Sequence, residues 1–380
     1  MHISQAIKTV FAFMCLIGLS FGNHLIAADI DQLTAVINKI GVKGQGHAEA
    51  RNAMSELVEI DPTDVVDILH GFDSKNVLAL NWLRAAVDSV LESAHQNGKT
   101  IPLRELQAFL ADTQNNENAR RVAYEWIVQL DDSLRTNILL NSLNDPSLEI
   151  RREAVTEAVS ASLKIKDAQK EVALSQLKTI LSSARDIDQI EQITTHIESL
   201  GGTVDLPRHF GFLMTWNLVG PFDNSGTKGF DVAYPPEANV ALDKTLEGKA
   251  GSVQWFEHTT MDPYGMMDLN VIMPEKYKGA IVYAYTTFDS SEDRDVEIRM
   301  GCVNGNKIWV NGKLITSNHV YHANTSIDQY IAKARLHKGE NEILVKVAQN
   351  EQEESWAQRW QFQLRICDKY GTAVLASGRK

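Results

Sequence analysis

Asn306-Lys307-Ile308-Trp309-Val310-Asn311-Gly312-Lys313-Leu314 is the stretch on which the fold of this chain turns. Apolar residues flank Asn311-Gly312, and a two-residue type I′ turn needs positive φ at both central positions, which asparagine and glycine tolerate best. The stretch predicts a tight β-hairpin. Outward from it the residues 213–219, 253–256, 280–288, 294–302, 307–310, 327–336, 342–348 and 358–366 read as strands between clusters of Gly, Pro, Asn and Asp. So many short strands in one region imply a β-sandwich or jelly roll.

Upstream of residue 208 the composition changes. Residues 29–207 hold 28 acidic and 17 basic side chains and five aromatics, whereas residues 208–380 hold 21 acidic, 19 basic and twenty aromatics. Gly201-Gly202 stops a helix and Pro207 cannot continue one, which places a linker at 201–209 between a helical domain at 29–200 and a β domain at 210–380. The helical half repeats the pattern Arg-x-Ala-x-x-x-apolar at Arg51/Ala53/Leu57, Arg84/Ala86/Val90, Arg121/Ala123/Ile127 and Arg152/Ala154/Ala158. The spacings are 33, 37 and 31 residues, about one helix pair each. On a helix the alanine and the residue four later share a face, so neighbours approach closely there while the arginine reaches elsewhere. Such helices stack as an α-solenoid or pack as an irregular bundle.

Two resemblances rest on particular residues. The run 144–155, Asn-Asp-Pro-Ser-Leu-Glu-Ile-Arg-Arg-Glu-Ala-Val, resembles a HEAT repeat. The hairpin stretch 306–314 with Leu336–Val347 (Leu-His-Lys-Gly-Glu-Asn-Glu-Ile-Leu-Val-Lys-Val) resembles the galactose-binding-like jelly roll of β-galactosidase-type enzymes and related lectin modules, over about residues 211–368. The whole chain resembles a family of secreted bacterial proteins that join HEAT repeats to such a domain, through Trp216–Asn224 and Gly229–Glu237. The resemblance implies the fold and often sugar binding, and brings no catalytic residue.

Residues 1–28 read as a secretory signal peptide: Lys8, an apolar run from Thr9 to Phe21, and Ile26-Ala27-Ala28 before a cut at Asp29. The run is short of the roughly 20 residues of a bilayer span, so an uncleaved anchor is the lesser alternative. Export to periplasm or medium, with no membrane span after cleavage, follows. The formal net charge of −12 disfavours nucleic acid, whose phosphates are bound mainly through Lys and Arg. The acidic helical half instead suits a basic protein partner.

No nucleophile elbow, metalloprotease helix, Walker loop or EF-hand loop occurs, and no cofactor is expected. Strand parity turns Cys302 inward with Val296, Ile298 and Met300, and Cys367 outward with Gln363 and Arg365, so the two should not form a disulfide. Asp223, Asp231 and Glu237 are candidate oxygen ligands for a structural Ca²⁺, and His319 with His322 is an incomplete transition-metal pair; surface carboxylates and loop histidines are the plainer reading. Counting connections in an antiparallel sheet puts the loops 302–306, 316–326 and 349–357 at one end. Asn304, Asn318, His319, Tyr321, His322, Asn350, Glu353 and Trp356 should therefore cluster on one edge. Aromatics among amides and carboxylates suit a glycan: a stacking platform with directional hydrogen bonds. Tyr321 and Trp356 would alternatively cover the sheet edge or dock on the solenoid. The expected function is non-catalytic binding, with glycan or another cell-envelope component at this edge and protein on the solenoid. A pure protein scaffold is the first alternative, and a glycoside hydrolase or its accessory subunit the second.

Overall fold

The computed structural model describes residues 27–73 and 75–378; the stretch read as a signal peptide, apart from its last two residues, lies outside them. Helices come first: α1 Ala27–Ile37, α2 His47–Leu57, α3 Val65–His70, α4 Val77–Gln96, α5 Leu103–Ala111, α6 Glu117–Leu130, α7 Arg135–Leu140, α8 Leu148–Ile165, α9 Lys170–Ser183, α10 Ile187–Ser199 and α11 Leu206–Phe210. Side-chain caps explain two of the starts. Asn76 accepts from the amides of Leu78 and Ala79 before α4, and Asn116 from those of Asn118 and Ala119 before α6.

The repeated pattern does what its spacing requires. Ala53, Ala86, Ala123 and Ala154 are buried, as are Leu57, Val90, Ile127 and Ala158 four residues on. Two of the arginines bridge to a later helix: Arg84 to Glu125, and Arg152 to Asp188. Among the described residues no helix is long and apolar enough to cross a membrane.

The β region follows: β1 Thr215–Asp223, α12 Pro235–Ala238, β2 Thr245–Gly248, β3 Gly251–Gln254, β4 Phe256–Thr259, β5 Met267–Asp268, α13 Leu269–Ile272, β6 Ala280–Ser290, β7 Arg294–Cys302, β8 Gly305–Val310, β9 Lys313–Asn318, β10 Tyr330–Leu336, β11 Gly339–Gln349 and β12 Gln361–Cys367. One sheet has the order β4-β1-β6-β11-β8-β9, a second β10-β7-β12-β5, and β2-β3 form a separate hairpin; all the pairings are antiparallel. The turn at Asn311-Gly312 has φ of 50° and 74° and joins β8 to β9, as its two residues dictate. The strand after this turn runs through Asn318, so the following loop begins later than residue 316.

A single apolar core lies between the inner faces of the two sheets. Val282, Ala284, Val345 and Val347 from the six-stranded sheet meet Ile298, Met300, Phe362 and Leu364 from the four-stranded one. Each outer face is partly covered. Residues 222–255 fold over the six-stranded sheet, packing Phe222, Phe230, Tyr234 and Leu246 on Ile281, Tyr283, Trp309 and Leu344. Over the four-stranded sheet, Phe210 and Phe212 join the core of α8–α10 with Leu177, Ile180 and Ile193, and Phe212 bridges to Arg365.

That second cover decides where packing divides the chain. The compact units are residues up to Ile138 and from Leu139 onward, so α8–α10 belong with the sheets although composition changes only at 201–209. The expected linker is also partly structured, since α11 buries Phe210. The same cover corrects the reading of Cys367. It faces away from Cys302, as parity requires, but is fully buried. Burial pushes the Cys367 thiol up to about 11 and the Cys302 thiol up to about 12. Both thiols are free.

Candidate functional site

The three loops named by parity meet. The amide of Ala323 donates to the carbonyl of Val303 at 3.1 Å, and His322 Nε2 lies 3.1 Å from Asn350 Oδ1. The His322 ring stands edge-on to Trp356 with centroids 5.2 Å apart. Rings then continue along the edge: His322 lies 6.4 Å from Tyr321, Tyr321 5.4 Å from His319, and His319 stacks on Phe230 at 4.1 Å with planes 7° apart. The backbone at His322 has a φ of 60°, a left-handed conformation that is costly for a residue bearing a Cβ.

Gly305 lies under this strip: a Cβ there would lie 3.3 Å from both the Phe230 and Tyr321 rings, which would have to give by a few tenths of an ångström. The Tyr321 hydroxyl accepts from Asn224 Nδ2 at 3.1 Å, and the same amide nitrogen donates to the carbonyl of Gln349 at 2.8 Å. Burial raises the Tyr321 phenol above its ordinary value. Tyr321 is thus a fixed, half-buried wall.

Trp356 differs: 61% of its surface is exposed. It borders a cleft of about 180 Å³ with Val303, His322, Ala323, Asn324 and Arg359. Trp360, four residues on, is fully buried in the core between the sheets, as its strand face implies.

The expected residues therefore separate into two groups. His319, Tyr321, His322, Asn350 and Trp356 come together. Asn304 is a correction: it is fully buried, donates to the carbonyl of Arg359 at 3.1 Å and accepts from the amide of Gln361 at 3.2 Å. It ties the loop after β7 to the start of β12 and presents nothing outward. Asn318 is half-buried and spends its amide on Asn306 at 3.0 Å. The exposed Glu353 uses its carbonyl to hold Gln358.

The three carboxylates weighed for Ca²⁺ do not converge. Asp223 pairs with Lys249 at 3.0 Å, Asp231 with Lys307 at 3.3 Å, and Glu237 with Lys346 at 2.9 Å. Among the described residues no group of three His, Cys, Asp or Glu could hold a metal ion. Glu237 has a different task. Lys346 is fully buried on the outer face of β11, where its ammonium donates to Glu237 and, at 2.8 Å, to the carbonyls of Phe230 and Val232. The Tyr234 and Tyr283 rings lie 5.5 and 5.7 Å from it. Burial pulls Lys346 below an ordinary lysine while Glu237 pulls it back.

Sequence reasoning missed Phe230, Asn224 and Arg359 as members of this edge. Phe230 and Asn224 come from the segment after β1, distant in sequence from the loops they join. Only the pairing of β1 with β6 and of β6 with β11 brings them there, and no local signal announces it.

No family model matches the chain, and no curated protein matches it. Solved structures align with parts of it at low similarity. A β-glucosidase from Kluyveromyces marxianus in complex with glucose is 12% identical over 40% of this chain and 16% of that chain, with a TM-score of 0.25. An anti-sigma factor domain-containing protein from Clostridium clariflavum is 12% identical over 43% of this chain and 45% of that chain, with a TM-score of 0.26. A β-glucuronidase of an uncultured Clostridium sp. is 17% identical over 42% and 29%, with a TM-score of 0.25. The chain spans less than half the length of each of these structures. At these scores the likeness carries no inference, and the meaning of the site rests on its own geometry.

Proposed function

We propose that this is an exported, non-catalytic binding protein whose aromatic edge meets glycan or another cell-envelope partner. In this reading the two-sheet region is a galactose-binding-like jelly roll and the helical region a HEAT-type α-solenoid that meets protein. The observation that carries it is Trp356: a 61% exposed indole beside His322 and Arg359, at the mouth of a cleft, on a strip of fixed rings. An indole face held in water suits the apolar face of a sugar ring, and the flanking imidazole and guanidinium supply directional polar contacts. The signal-peptide pattern of residues 1–28 supports export.

The test is retention of the intact protein on immobilised polysaccharides, followed by Trp356→Ala. Retention on the cognate polysaccharide should be lost while unfolding free energy changes by less than about 1 kcal/mol, because little burial is surrendered. A broad glycan array that shows no binding would leave the protein-scaffold reading. The bridging arginines of the helical repeats and the charge of −11 over residues 29–207 favour that second reading, in which the helical surface recruits a basic protein and loses it as salt rises.

A further inference from the structure

On the outer face of the six-stranded sheet, one row of side chains crosses three strands. Leu344 on β11 stands opposite Trp309 on β8 to one side and Tyr285 on β6 to the other. All three are buried beneath the segment that covers this face. They line a cleft of about 130 Å³ together with Glu237 and Ala238 of α12, which belong to the cover. That is room for one small head group, below the roughly 300 Å³ at which sites for drug-sized ligands begin. Trp255 meets Tyr285 with centroids 6.3 Å apart and planes at 68°, and so helps to hold the ring.

The charge at this cleft is one-sided. Lys346 and Lys307, opposite each other and two residues along the same face, are already matched, by Glu237 at 2.9 Å and Asp231 at 3.3 Å. Glu342 also lines the cleft. It lies two residues before Leu344, on the same face by the twofold period of a strand, and is exposed. It accepts from the Tyr285 hydroxyl at 3.0 Å, and among the described residues no lysine, arginine or histidine pairs with it. Burial first, and then Glu342, push the Tyr285 phenol up to about 12, so the phenol remains the donor. An unmatched carboxylate beside an indole, a phenol and a leucine suits a cation with an apolar skin. A hard metal ion is poorly served, since among the described residues no three His, Cys, Asp or Glu converge.

We propose that this cleft binds a quaternary ammonium group, its methyls against Trp309 and Leu344 and its charge beside Glu342. Free choline and the phosphocholine head of a lipid share that chemistry. Aromatic side chains attract such a cation through their π systems, and the carboxylate supplies the opposite charge. The site is independent of the Trp356 edge.

Isothermal titration of the full chain with choline and, separately, with dihexanoylphosphatidylcholine below its micelle concentration tests this. One saturable site is expected for at least one of them; choline alone assigns a free solute, and the lipid alone a lipid-borne head group. The neutral analogue of choline, with carbon in place of nitrogen, has the shape without the charge and should bind at least about tenfold more weakly. Glu342→Gln, at an exposed position, should weaken binding about tenfold. Ala238→Leu, which fills the cleft from its exposed cover, should abolish it, whereas Trp356→Ala should leave it unchanged. Absence of saturable binding by both ligands overturns the proposal. So does equal affinity for the neutral analogue, or undiminished binding by either cleft variant.

Discussion

The outer faces of the two sheets are both partly covered, and both covers trap a charge, but by different physical means. On the six-stranded sheet, the chain's own segment 222–255 wraps the ammonium of Lys346 in two carbonyls, one carboxylate and a surround of rings. On the four-stranded sheet the residue at the cover is Arg365, 4% exposed. It shares Asp328 with Arg299 and donates at 3.1 Å to the carbonyls of Phe210 and Gly371. The first is a cation caged mostly by dipoles and π faces. The second is a carboxylate shared by two guanidiniums, and it pins the sheet to α11. A cage of dipoles holds its charge without any acid having to stay ionised except Glu237. If the shared carboxylate is lost, the buried Arg365 is left to the carbonyls of Phe210 and Gly371 while Arg299 keeps Glu297.

The largest effect should therefore come from Asp328. Burial alone would raise its carboxyl, yet Arg365 and Arg299 hold it below the ordinary value. Asp328→Ala should lower unfolding free energy by about 3–5 kcal/mol in denaturant titration, the cost of stranding buried charge. A loss under about 1 kcal/mol would mean the guanidiniums reach water and the contrast between the covers is false.

Lys346→Met comes next. It should cost about 2–3 kcal/mol, less than Asp328→Ala because Glu237 keeps the Tyr283 hydroxyl as a donor. The double variant Lys346→Met/Glu237→Gln should recover part of the loss, since it removes the orphaned carboxylate. Additive losses would show that Lys346 works through the carbonyls and rings alone.

The smallest effect separates the covers by pH. His209, on α11 beside Arg185 and Arg365, is lowered to about 4, first by burial and then by those two arginines. Unfolded, it takes a proton near its ordinary value of 6.5, so between pH 6.5 and 4 the unfolded chain binds more protons and stability falls as pH drops. Asp328 adds a further loss below this window, as pH falls through its lowered folded value. His209→Gln should remove about 1–2 kcal/mol of the decline between pH 6.5 and 4, measured by denaturant midpoints at each pH. An unchanged slope would place the acid sensitivity elsewhere than the α11 cover.

Strand existence and facing were largely legible from residue order. Alternation put Val296, Ile298, Met300 and Cys302 on one face and Trp360, Phe362, Leu364 and Ile366 on another; all are in the core between the sheets. Counting connections also sufficed to bring His322, Asn350 and Trp356 to one end. These inferences rest on the twofold period of a strand and the reversal at each antiparallel connection, both properties of the chain itself. The exposure of individual side chains was not legible. Asn304 and Cys367 read as edge or outward residues and are both fully buried. In the same way, the composition break near 201–209 marks the change from helix to strand, while the division of packing at Ile138 and Leu139 reflects the burial of Phe210 and Phe212 among α8–α10. Periodicity determines which way a side chain points. Only the tertiary structure decides what it meets there, since desolvation depends on what closes over the face and not on the face alone.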